Sequence, residues 1–138
     1  KRQMVRPQFT RVHAALKDEA DLVEELVQDL GLAVEKALIA EGKEIIERQF
    51  LQERMAKAAM DLYLSTAVLS RATWAITKAG SPEAAAADLD AARVFIPMAT
   101  RRARRQIVAL AHHQDDRLRA VAQRALETGD LTVPTPTD

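Results

Sequence analysis

A chain of 138 residues with 20 basic and 20 acidic side chains carries no formal net charge, and 48% of it is hydrophobic. That balance excludes a disordered chain and a general polyanion binder, and the length suits one domain burying roughly two-thirds of its unfolded surface. The absence of Cys excludes thiolate catalysis, zinc-thiolate sites and disulfides, while no uncharged run approaches the ~18 residues of a membrane span and no signal-peptide core opens the sequence.

Residues 1–10, KRQMVRPQFT, are basic and aperiodic, and Pro7 biases its predecessor towards an extended conformation. They read as an incoming linker, and a start on Lys1 rather than Met leads us to expect a longer polypeptide upstream. The helical domain is expected over 11–129. From Arg11 onwards Val12, Leu16, Val23, Val27, Leu30, Val34, Ala37 and Leu38 keep helical spacing, with Thr10 or Asp18 as cap and an end near Gly42. The polar face of this first helix is acidic: between Asp18 and Glu47 stand ten acids against Lys36 and Lys43.

A central helix is predicted over 45–78, a stretch without Gly or Pro long enough for roughly nine turns. Met55, Leu62, Leu69 and Ile76 recur every seven residues, and small pairs (Ala58 with Ala59, Ser65 with Thr66, Ala72 with Thr73) fall between them. Large residues alternating with small ones suit a seam that other helices approach closely. Charges crowd the first three turns and are missing from 62–70, so the second half should be the better buried. Tyr63 and Trp74 are expected as core or bundle-rim residues.

Gly80 suits a helix C′ position, Ser81 an N-cap, Pro82 the first helical position and Glu83 the positive dipole end. The third helix begins there and runs to about His112, with an interruption and kink expected at Pro97. Asp115 is placed to cap a fourth helix with Leu118, Val121, Ala122, Ala125 and Leu126 on one face, closed by Gly129. The tail, 130–138, holds Pro134 and Pro136 and no helical pattern. Four helices joined by short loops predict an all-α fold, an antiparallel four-helix bundle.

Chemistry is sparse. A di-iron bundle needs inward Glu residues and Glu-x-x-His pairs, and Thr10, Ala109 and Leu110 stand three positions before His13, His112 and His113. Adjacent His112 and His113 point about 100° apart in a helix and read as a polar helix end. No serine lies beside a His, and no GxGxxG or other Gly-rich phosphate loop occurs. No catalytic, cofactor-binding or metal residue is assigned. The sharpest charge feature is Arg101, Arg102, Arg104 and Arg105 with Arg93 two turns earlier, a candidate interaction surface. Pairing with the acidic first helix, or plain solvation, is the nearer reading. Contact with another protein or a parent domain follows, with lipid or nucleic acid last, because net charge is zero and aromatic interleaving is almost absent.

Residues 35–73 contain Gln49-Phe50, Gln52 to Arg54, Asp61-Leu62-Tyr63 and Leu69-Ser70-Arg71-Ala72. In that order and spacing they resemble the C-terminal appended domain of the very-long-chain acyl-CoA dehydrogenase family, which includes a close relative involved in respiratory complex I assembly. Weaker likeness extends outwards, through Val5-Arg6-Pro7 to Thr10-Arg11 at one end and through Ala125-Leu126, Gly129 and Val133-Pro134 at the other. The resemblance implies a fragment of an FAD flavoenzyme of fatty-acid β-oxidation, an oxidoreductase that converts long acyl-CoA thioesters to 2-enoyl-CoA. The Glu base and flavin site would lie in an upstream core, so no family active-site residue transfers to a position here and no cofactor is expected in this piece. It further implies packing on the catalytic core of a homodimer and an intracellular setting, cytoplasmic or peripheral at the inner membrane. Membrane association would be made by the segment just upstream, and no nucleic-acid partner is expected. Such an auxiliary domain should keep an apolar face exposed, whereas a stand-alone interaction bundle without enzymatic activity should close its surface with polar residues.

Overall fold

Gly42, Gly80 and residues 112–114 divide the protein, a computed structural model that describes residues 8–129, into four helices with no strand among the described residues. Residues 1–7 of the expected linker and the whole expected tail, 130–138, lie outside the described residues. Helix α1 spans Lys17–Glu41, α2 Gln49–Ala79, α3 Ala86–Ala111 and α4 Asp115–Thr128.

Three boundaries differ from the sequence reading. Helix α1 is preceded by a 3-10 turn, Ala14–Leu16, whose cap is His13: its Nδ1 accepts from the Ala15 N–H at 3.1 Å, a role expected of Thr10 or Asp18. The central helix starts at Gln49 rather than 45, because Gly42–Ile46 forms a 3-10 turn that Gln52 ties down by donating to the Ile45 and Ile46 carbonyls. At the third boundary Ser81 does accept from the Ala84 N–H at 3.2 Å, yet regular helix begins only at Ala86. The helix ends follow the glycines: Gly80 and Gly129 adopt φ of 86° and 65°, left-handed values that a side chain would resist.

Helix α3 continues through Pro97 without a break. The ring removes only the bond to the Arg93 carbonyl, and just beyond it the Thr100 hydroxyl donates to Ile96 and Pro97 carbonyls.

Contacts fix the directions. Ala58 packs with Ala103 and Arg102 meets Asp61, so α2 and α3 are antiparallel; Glu25 and Asp29 meet Arg104 while Leu22 lies beside Pro97, so α1 and α3 run parallel. The seam of α2 is the core. Leu69 and Ile76 are fully buried, and the small residues Ala58, Ser65 and Ala72 of α2 and Ala92, Ala99 and Ala103 of α3 are buried too, which lets the two packed helices approach closely. Met55 and Leu62, nearer the charged end, are half-buried. Helix α4 stands apart: among its residues only Asp115 is buried.

Candidate docking surfaces

The side of α2 opposite its seam is apolar as well. Ala56, Met60, Tyr63, Leu64, Ala67 and Trp74 fall at helical spacing on one exposed stripe. Tyr63 is 74% exposed and Trp74 52%, so the expectation of a core or rim role fails for Tyr63: its position projects away from the Leu62–Leu69 seam. The stripe is framed by charge, with Glu53 and Lys57 paired at one end and Arg71 and Lys78 lying over the Trp74 ring at 5.0 and 4.8 Å from its centroid. The signal was in the sequence. A helix apolar on two opposite faces carries more apolar surface than one packing side covers, and α1 and α3 cover the inner side alone.

A second surface is the groove between α1 and α3 on the side away from α2. Leu32, Ala33, Ala37 and Ala40 face Ile107 and Val108 across a depression of about 670 Å³. It continues past Arg104 and Val108 into a shallower basin with Leu22, Pro97, Thr100, Arg101 and Arg105. Close by, α4 presents Leu118, Val121 and Leu126 to solvent.

The arginine cluster divides. Arg104 reaches α1, at 2.7 Å from Glu25 and 3.6 Å from Asp29, and Arg102 forks onto Asp61 of α2 at 2.7 and 3.4 Å while lying over the Phe95 ring. Arg93 donates to the Ala15 carbonyl at 3.4 Å. Arg101 and Arg105 make no ion pair among the described residues and border the shallow basin. The acidic face of α1 is thereby partly matched within the bundle: Glu24 accepts from the Phe9 N–H, and Arg48 gathers Glu41, Glu44 and Asp116.

Sequence reasoning missed the junction of α2 and α4. Arg54 holds the buried Asp115 with two hydrogen bonds, 2.6 and 2.7 Å, and these hold the Asp115 carboxyl below the usual carboxylate range. Asp115 is thus the first residue of α4 rather than its cap, its oxygens being taken by Arg54 and by His113 Nδ1 at 3.3 Å. Arg54 lies sixty-one positions away, a separation that no local pattern encodes.

Against the needs of a flavin dinucleotide the described residues do not fit. The positive-φ glycines, Gly42, Gly80 and Gly129, sit at helix ends instead of forming a phosphate loop, and the depressions are open to solvent. Among the described residues no group of three or more His, Asp or Glu is disposed to hold a metal ion, and no helix is long and apolar enough to cross a membrane.

Residues 14–131 match the family described as ACAD9/ACADV, C-terminal domain. The chain is 38% identical over 73 residues to the very long-chain specific acyl-CoA dehydrogenase, mitochondrial, of Bos taurus, which covers 53% of this chain and 11% of the relative. The Homo sapiens protein of the same name is 37% identical over the same length. The Rattus norvegicus one is 29% identical over 129 residues, 91% of this chain and 20% of the relative. The chain therefore spans about a tenth to a fifth of the length of the curated relatives it matches.

Proposed function

The chain belongs to the family of ACAD9/ACADV C-terminal domains, and from that premise we propose that it is the non-catalytic helical domain of an FAD-dependent, long-chain acyl-CoA dehydrogenase-like enzyme. In this reading it packs on the catalytic core or the dimer of its parent, inside the cell, and supplies no chemical step itself.

The observation that carries the reading is the exposed apolar stripe of α2. Met60, Tyr63, Leu64 and Trp74 present a contiguous surface of the kind that monomers seldom leave open. Tyr and Trp bring large contact areas at low conformational cost, the composition of interface hot spots. A self-sufficient interaction bundle would also act through surfaces, and the same experiment separates the two. The catalytic core, produced without this region, is mixed with the 138-residue chain and followed by sedimentation. A complex that forms with the native sequence and is lost with Met60→Glu and Tyr63→Glu supports the proposal. Failure to associate, or association indifferent to both substitutions, refutes it.

A further inference from the structure

Helix α4 and the α1/α3 groove are each unpartnered, they lie at the same end of the bundle, and they match. The helix has fourteen residues, about 21 Å at 1.5 Å per residue, and α3 offers the same length of groove between Pro97 and Ala111. Leu118, Val121, Ala122 and Ala125 form the apolar side of α4. The groove answers with Ala33, Ala37 and Ala40, small enough for close approach, between the larger Leu32, Ile107 and Val108.

We propose that α4 folds back into this groove, antiparallel to α3, closing the three packed helices into a four-helix bundle. The hinge is the three-residue connection 112–114, a length typical of antiparallel helical neighbours. His113 already lines the groove, and Arg48 joins Asp116 of α4 to Glu41, which lines the same end of the groove. In a helical hairpin about that hinge Leu118 comes opposite Val108, Val121 opposite Arg105 and Ala125 opposite Arg101. The stems of Arg105 and Arg101 then lie along apolar surface, and Glu127 comes within about one turn of Arg101, which has no ion pair among the described residues.

Two further considerations choose this occupant. A fourteen-residue helix held only at its first turn is marginal in water, so α4 needs a partner to persist. Its own groove is tethered three residues away, at an effective concentration near the millimolar range, which a second copy in dilute solution does not approach. This inference does not depend on what covers the outer face of α2.

The chain has no cysteine, so an engineered pair reports without background. In the 138-residue chain carrying Val108→Cys and Leu118→Cys, mild oxidation should give an intramolecular disulfide in a species of monomer mass, since the pair needs Cα atoms roughly 4.4–6.8 Å apart. Amide exchange gives an independent readout that needs no cysteine. The amides of α4 in the unsubstituted chain should exchange at least about tenfold more slowly than unprotected amides, and Leu118→Glu should abolish that protection. A disulfide found only in covalent dimers would assign the groove to a second copy and overturn the proposal. So would the absence of any disulfide, α4 amides exchanging as if unprotected, or protection that survives Leu118→Glu.

Discussion

Arg54 of α2 and Asp115 of α4 meet through two parallel hydrogen bonds of 2.6 and 2.7 Å, on a carboxylate whose side chain is only 6% exposed. This pair, with Arg48 and Asp116 beside it, is the main polar tie between α4 and the rest of the fold.

Removing Arg54 strands a buried carboxylate. Arg54→Ala should cost about 1–3 kcal/mol, the usual range for leaving a buried acceptor without its partner, read as a shift in denaturant midpoint. The pH dependence has a defined sign. Because the Asp115 pKa is lowered in the folded state, its contribution is complete above the ordinary aspartate value of about 3.9 and disappears as pH falls through the lower folded value. The native chain should lose stability over that acidic window more steeply than Asp115→Asn, a comparison made by thermal melts from neutral pH downwards.

The seam of α2 makes a graded prediction. Leu69 is 1% exposed and Leu62 only half-buried. Leu69→Ala should therefore cost about 2–5 kcal/mol and Leu62→Ala distinctly less. Ala99→Leu, on the facing helix where no space remains, should destabilise by about 1–3 kcal/mol through overpacking. Urea denaturation of the three variants would establish the order.

Charge reversal separates the arginines. Arg104→Glu breaks contacts with Glu25 and Asp29 and sets like charges together. It should lower stability by up to about 1 kcal/mol, with the loss shrinking at high salt. The double reversal of Arg101 and Arg105 breaks no ion pair among the described residues and should cost less. Melting temperatures at low and high salt decide it.

Helix number and most breaks were legible because glycine and proline act locally: Gly80 and Gly129 stop helices by their φ, and no distant residue is needed to explain them. The inward face of α2 was legible for the same reason, since the heptad of Leu62, Leu69 and Ile76 is a property of one helix. Tyr63 departs from the expectation because the uncharged stretch 62–70 reads as one buried block, whereas a helix turns its residues to opposite sides and leaves Tyr63 exposed. The Arg54–Asp115 pair, and the division of the arginine cluster between Asp61 and the acids of α1, depend on which helices are neighbours. Sequence spacing alone could not supply that.

The 138-residue chain, purified in the presence of excess FAD, should be colourless and should not reduce an electron-accepting dye with palmitoyl-CoA. The expectation rests on the lack of a phosphate cradle among the described residues and on the open form of the depressions described. A yellow, active preparation would move the catalytic machinery into this domain.

The central claim is that the outer face of α2 is covered in the parent protein, and side-chain footprinting tests it directly. Met60, Tyr63 and Trp74, all exposed here, should be oxidised readily in the 138-residue chain and protected in the full-length assembly, while the buried Leu69 stays unlabelled in both. Equal labelling of Met60, Tyr63 and Trp74 in the two preparations would contradict the account.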